Sequence, residues 1–400
     1  MEDIVTSSIW VIGVCAVLLL AAATELAARW WIRYRRLYYV FPPGMRLRVF
    51  PALPGLEPEV RFEVNRDGER GDEVPRSKDG LYRVLVGGGS QPEGFFLDQH
   101  TAWPGALQRL LEKREHLDRL GATKVHVGSI ARSGVGSEAL DLIFDRVLPR
   151  YPRLQLIIIL IGVTDVSRWL EQGAPRALAP YSTAEPFRCH PEGPFGWKPN
   201  ELAVTELLLR ARQRWLRPIT VRERVDLWYN DARAMRARAK TILTTMPDPT
   251  PMLDHFVLHF RRLLMTAKAH ADRVLVVRQP WLDKNLSPEE AAAMWHGGVG
   301  QVWREEVTTY YSFDVFSKLL SLLDAKAAAV ADSLGIEHLD LMPTLERSLV
   351  TYYDAFHLTP TGARAVAKSV AAAILRQPLP TTAKAPAGNE QPRYLRSLAS

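Results

Sequence analysis

Residues 82–94 read YRVLVGGGSQPEG. A short, mostly apolar run without strict alternation is what a strand buried on both faces requires. The glycines that follow mark a sharp turn from strand to helix. Four more such runs lie downstream, KVHVGSIA (124–131), LQLIIILIG (154–162), RVLVVRQ (273–279) and IEHLDL (336–341). Between and after them the apolar spacing turns helical, notably over 104–119, 137–148, 252–270, 318–334 and 360–376. Strand followed by helix, repeated five times, predicts an α/β protein. The expected architecture is a flavodoxin-like three-layer α/β/α fold around a five-stranded parallel sheet.

A glycine-rich turn after a first strand suggests phosphate binding, and the sequence argues against it. Gly89 and Gly94 have P-loop spacing, yet Phe95 and Phe96 stand where Lys and Ser/Thr are required. The dinucleotide pattern fails as well, because Pro92 occupies the third glycine position counted from Gly87. What remains is a turn presenting one hydroxyl, Ser90, at the end of a strand. A second place, Tyr353-Asp354-Ala355-Phe356-His357-Leu358-Thr359, comes just before the final helical stretch. Asp354 and His357, three residues apart, can share one turn, the carboxylate accepting from one ring nitrogen. The other nitrogen is then free to take a proton from a serine.

Four blocks in order, GGSQPEG (88–94), ARSGVGS (131–137), GVTD (162–165) and DAFH (354–357), resemble those of the SGNH/GDSL hydrolases. The resemblance spans roughly residues 80–376 and is similar to a bacterial, membrane-anchored branch with GGS in place of GDS. TAWPGALQRLL (101–111) and QPWLDKNLSPEEAAAMWHGG (279–298) also resemble stretches of that branch. It implies that Ser90 is the nucleophile, His357 the general base and Asp354 its orienter. Backbone N–H groups of Ser90 and Gly134 are implied for the oxyanion. The family's Asn in the third block is replaced by Thr164, whose hydroxyl has a shorter reach. The implied activity is hydrolysis or transfer of a carboxylic ester acyl group, carried on a glycan or a lipid. The alternative is a catalytically weak protein of the same fold that binds a glycan or an assembly partner. Neither cofactor nor metal is implied, and no Cys/His cluster is read as a metal site.

The composition, 47% hydrophobic and 24% charged over 400 residues, supports a sizeable core. Cys15 lies in an apolar run and Cys189 in a Pro-rich loop, so no disulfide between them is expected. The net charge of +7 is concentrated between Glu201 and Lys240, where ten Lys/Arg face five Asp/Glu. That stretch has helical apolar spacing and no nucleic-acid motif, so it reads as a solvated helical face.

Residues 8–28, SIWVIGVCAVLLLAAATELAA, carry one charge, Glu25, and are long enough to cross ~30 Å of hydrocarbon. Trp30 and Trp31 follow at the position of an aromatic belt. Glu2 and Asp3 stand where a signal peptide needs positive charge, so the segment (1–36) reads as an uncleaved single-pass anchor. Arg29, Arg33, Arg35 and Arg36 after the span lean the large domain toward the cytoplasm. Residues 37–79 read as a connector carrying a small hairpin at Asp67-Gly68. The hydrolase domain is expected over 80–376, with a helical insertion at about 166–250 and a disordered tail at 377–400.

Overall fold

A computed structural model describes residues 2–178, 201–215, 220–224 and 226–376. The chain starts with α1 (Glu2–Tyr34), β1 (Arg46–Phe50) and β2 (Val60–Glu63). Strand and helix then alternate through β3 (Leu81–Gly88), the one-turn α2 (Ser90–Glu93), α3 (Trp103–Leu111), α4 (Arg114–Leu120) and β4 (Lys124–Ser129). They continue as α5 (Ser137–Val147), β5 (Leu154–Leu160) and α6 (Val163–Glu171). An excursion follows through α7 (Ala203–Trp215), β6 (Thr220–Arg224), α8 (Asp226–Ala237) and β7 (Thr241–Leu243). The alternation resumes with α9 (Thr250–His270), β8 (Ala271–Val277), α10 (Pro288–Ala292), β9 (Thr309–Tyr311), α11 (Phe313–Ser333), β10 (Glu337–Leu339) and α12 (Pro360–Arg376).

The main sheet has the order β10-β8-β5-β3-β4, and each neighbouring pair is parallel. Counted along the chain this is 2-1-3-4-5, the doubly wound order the alternation predicts. Helices α5, α9 and α11 cover one face, and α3, α4 and α12 the other. With both faces covered, the strands have no solvent side, and Leu156 through Leu160 are each 0% exposed. The strand order reverses between β3 and β5, so their carboxyl ends open a crevice. Gly88 ends β3 at that point. A Cβ on it would stand 2.1 Å from the carbonyl oxygen of Leu160, so only glycine lets the two strands close up there.

Three departures from the sequence reading have physical causes. The stretch 104–119 is two helices, α3 and α4, because Lys113 takes an extended conformation between them. Helix α11 begins at Phe313, five residues before the expected 318, because the Ser312 hydroxyl accepts from Val315 N–H and caps it there. The supposed connector is part of the fold. Strand β1 pairs with β2 antiparallel and with β6 parallel. Val49, Val60 and Phe62, all 0% exposed, join the main core. Asp67-Gly68 does make a turn, but the hairpin after it is a single bridge, Val64 to Arg70. Arg70 then bridges Ser129 at the end of β4. The turn is drawn there by Glu69, whose buried carboxylate takes His126 Nε2 at 2.8 Å and Arg83 Nη2 at 2.8 Å. Burial opposes the charge of Glu69, but His126 and Arg83 outweigh it and hold the carboxyl at about 2.

Helix α1 is long and apolar enough to cross a membrane. Its side chains from Trp10 to Leu20 are exposed, an apolar surface that lipid would cover. Its foot is not independent of the domain, however. Glu25 accepts from the backbone N–H groups of Ala203 (2.9 Å) and Val204 (3.1 Å), capping α7 from outside. Ala28 and Ile32 pack against Ala203 in a small cluster of their own. The tail 377–400, residues 179–200 of the Pro-rich loop, and Cys189 within it lie outside the described residues.

Candidate active site

The turn from β3 into α2 places Ser90 at the first position of a helix, at the crevice between β3 and β5. Asp354 and His357 sit in the loop before α12. That loop closes on itself, with Tyr353 N–H donating to the His357 carbonyl and Tyr352 bridging Leu358. The closure brings the Asp354 carboxylate under its own backbone, where Oδ1 accepts from Phe356 N–H (3.0 Å) and His357 N–H (2.9 Å). Oδ2 lies 2.7 Å from His357 Nδ1, and His357 Nε2 lies 2.8 Å from Ser90 Oγ. Three residues separated by up to 267 positions thus form one hydrogen-bonded line.

Two glutamines tie the serine turn to the histidine loop. Gln91 Nε2 donates to the Phe356 carbonyl at 2.6 Å, and Gln279 Nε2 donates to Gln91 Oε1 at 3.1 Å. Leu282 N–H donates to the Ala355 carbonyl at 2.7 Å. The stretch 279–283 is therefore the cradle of the DAFH loop.

Sequence reading missed two donors on Asp354. The Tyr229 hydroxyl, from α8 in the insertion, donates to Oδ2 and stands 3.3 Å from His357 Nδ1. Trp295 Nε1 donates to the same oxygen at 3.1 Å. Burial alone would raise the Asp354 pKa. Interaction with the His357 and His296 rings and the hydrogen bonds from His357 and Tyr229 overcome it and hold the group far below the usual carboxylate range. Burial, with the Asp354 charge, drives the Tyr229 phenol well above its ordinary value, so it stays a donor. His296 is fully enclosed against Trp295 and Phe356, and burial pushes it down to about 3 despite the nearby Asp354. It is therefore neutral at pH 7. Nothing in the sequence around Tyr229 signals its place, because its partner is 125 residues away.

Gly134 lies in the loop between β4 and α5 with φ +73°, where a side chain would be strained. That loop is held by Glu93, whose carboxylate accepts from both the N–H and the hydroxyl of Ser133. Burial raises the Glu93 pKa, with the Ser133 hydrogen bonds and Arg132 opposing it. Among the described residues the backbone N–H groups of Ser90 and Gly134 have no acceptor, and both residues line the same cavity. Thr164, in the first turn of α6, lines it as well, and its hydroxyl bonds to nothing among the described residues. A Cβ on Gly89 would lie 3.4 Å from Thr164 Oγ1, so the hydroxyl sits against the serine turn. Asp165 turns away and accepts from Ser137 N–H (2.9 Å) and Ser137 Oγ (2.6 Å), fixing the start of α5.

The cavity beside Ser90 measures about 340 Å³. Phe95, Val163, Trp295 and Phe356 form apolar walls, while Arg168, Gln301 and Arg304 add polar groups, with Trp303 half exposed among them. Fold and site together define a doubly wound α/β/α protein with a Ser–His–Asp line at the topological switch point.

No family model matches the sequence, and no curated protein matches it. Among solved structures, an acetylxylan esterase, Axe2 from Geobacillus stearothermophilus, is similar at 12% identity and TM-score 0.40. The match covers 75% of this chain and 97% of that one. A member of the lipolytic protein G-D-S-L family from Veillonella parvula is similar at 8% identity and TM-score 0.39, over 74% of this chain and 100% of that one. LAE5, an alpha/beta hydrolase from the metagenome of Lake Arreo, Spain, stands at 10% identity and TM-score 0.39, over 74% and 97%. Similarities this distant carry neither activity nor substrate across.

Proposed function

We propose that the protein is a membrane-anchored serine esterase or acyltransferase of SGNH type. The carrying observation is the line Ser90 Oγ–His357 Nε2–His357 Nδ1–Asp354 Oδ2, at 2.8 and 2.7 Å. With Nδ1–H given to Asp354, the Nε2 lone pair faces the Ser90 hydroxyl and takes its proton as Oγ attacks an acyl carbonyl. The N–H groups of Ser90 and Gly134, with the Thr164 hydroxyl, receive the oxyanion. His357 then protonates the leaving alcohol, and water or a second alcohol releases the acyl group from Ser90. Every role uses the chain's own residues.

The polar groups around the cavity fit an alcohol carrier rich in hydroxyls, and the limited volume fits a short acyl group. A short O-acyl ester on a glycan is the substrate class this supports. The exposed apolar surface of α1 fits a single-pass anchor, and the packing of its foot on α7 would hold the site close to the bilayer. Labelling the detergent-solubilised protein with a fluorophosphonate tests the reading, since an activated serine reacts and an ordinary one does not. Labelling is expected on Ser90 alone; an unlabelled folded protein would defeat the proposal and favour a binding role.

Two substitutions test individual donors. Thr164→Val keeps the branched shape and removes only the hydroxyl. It is expected to lower kcat about tenfold or more, as loss of an oxyanion donor does. Equal kcat for the two forms on p-nitrophenyl acetate would remove Thr164 from the oxyanion site. Tyr229→Phe deletes one donor from the buried Asp354 carboxylate, loosening the group that orients His357. A drop in kcat of about tenfold is expected, from a hydrogen bond to a charged group. An unchanged kcat on p-nitrophenyl acetate would confine Tyr229 to packing.

A further inference from the structure

Across the sheet face from the serine's line of contacts, α5 and α9 bring four titratable side chains together. Glu138 and Asp141 lie three residues apart on α5, and His255 and His259 lie four apart on α9. Those spacings put each pair on one helical face, and the two helices pack against each other. One ligand atom from each of Glu138, His255 and His259 can be chosen so that the three lie within 4.8 Å of one another. His255 Nε2 stands 3.2 Å from Glu138 Oε2, and His259 Nε2 stands 3.9 Å from Glu138 Oε1.

We propose that Glu138, His255 and His259 bind a Zn²⁺ ion that pins α9 to α5. Three observations carry this. First, the donor set, two imidazoles and one carboxylate, is one Zn²⁺ accepts. Tetrahedral bonds of about 2.0–2.1 Å place ligand atoms roughly 3.3 Å apart; the His255–Glu138 separation of 3.2 Å matches this, and the His259–Glu138 separation of 3.9 Å needs a small inward shift. Second, His255 Nε2 lies 3.2 Å from Glu138 Oε2 and makes no aligned hydrogen bond among the described residues. Third, His259 Nδ1 lies 3.4 Å from Asp141 Oδ2, leaving Nε2 directed at Glu138. A carboxylate on the far nitrogen is the usual way a metal-binding histidine is oriented. Arg262 Nε, 3.3 Å from the same oxygen, keeps Asp141 out of the first coordination sphere.

The histidines are partly exposed, so a water completes the tetrahedron and the ion reaches the site from solvent. The place explains the use. Glu138 follows Ser137, the residue Asp165 grips, and Gly134 stands four positions before it. An ion there would stiffen the helix start that carries the Gly134 loop. The sequence reading found no metal spacing because the H-x-x-x-H on α9 takes its third ligand from another helix.

The full-length protein in detergent, stripped with EDTA and dialysed, is titrated with Zn²⁺ by calorimetry. One site is expected, with a Kd of about 1 µM or tighter. His255→Ala and His259→Ala should each weaken it by about 100-fold, and Asp141→Asn by about tenfold. His296→Ala should bind as the parent does, because His296 belongs to the separate group around Asp354. Absence of tight binding by the parent, parent-like binding by the His255→Ala/His259→Ala double variant, or loss through His296→Ala instead would each overturn the proposal. Should the alanine variants not fold, Co²⁺ loading of the parent decides. The visible bands of a four-coordinate site are expected, and the spectrum of hexaaqua Co²⁺ would refute it.

Discussion

Ser90→Ala is expected to lower ester hydrolysis by about 10⁴–10⁶-fold while leaving the melting temperature nearly unchanged. The size follows from the whole covalent path running through one oxygen. Without Oγ the imidazole can activate only water, and what rate remains comes from the oxyanion donors and binding. The small effect on stability follows from position. Ser90 lies on a turn at the edge of the crevice, and its hydroxyl bonds to His357 rather than filling the core. The backbone geometry of the turn comes from Gly88 and from the Gln91–Phe356 tether, neither of which the substitution touches. Rates on p-nitrophenyl acetate, fluorophosphonate labelling and a thermal melt on the same preparation check both halves. A variant that hydrolyses as fast as the parent would strip Ser90 of the role of nucleophile. A variant that loses activity together with its melting transition would show a folding defect instead.

What could be read ahead in the sequence was set by short-range pattern. The five main strands lack a solvent side, so their apolar runs stand out, and the glycines after β3 mark the turn that lifts Ser90. Asp354 and His357 were legible because both sit in one local turn, where spacing alone brings carboxylate and ring together. Groups whose partners are remote were not legible. Tyr229 belongs to an ordinary-looking amphipathic helix, and only the path of the 166–250 excursion brings it to Asp354. Strand β1 was hidden for a similar reason: Pro-flanked and five residues long, it is stabilised by β6, some 170 residues later. Glu69 gave no sequence signal as a buried acid, because its partners His126 and Arg83 come from β4 and β3. The long apolar helix α1 was read from length and apolarity, but the capping of α7 by Glu25 was not, since a single acid in such a run looks like an imperfection.

Asp354→Asn is expected to lower kcat about 10⁴-fold with Ser90 and His357 still in place. The carboxylate sets the proton on His357 Nδ1, which leaves Nε2 as acceptor toward Ser90. An amide at the same position can present its NH₂ to Nδ1, which favours the tautomer with the proton on Nε2. In that form the ring cannot take the serine proton. The amide also cannot stabilise the imidazolium that forms as Ser90 attacks. Tyr229 and Trp295 both donate to Oδ2, so an amide nitrogen there would face two further donors; an oxygen there would satisfy them but turn the nitrogen toward Phe356 and His357 N–H. Either orientation leaves buried donors opposed, so stability should fall as well. The pH dependence separates this cost from general damage. Asp354 has a folded pKa depressed far below its unfolded value near ~4, so its contribution to stability is present above that pH. It is lost as the pH falls toward the folded pKa. The parent should therefore melt higher than Asp354→Asn at pH 7, and the gap should narrow progressively below about pH 4. A gap that stays constant across that range would mean that the charge on Asp354 contributes nothing to the fold. A kcat within about tenfold of the parent would mean that it does not set the tautomer of His357.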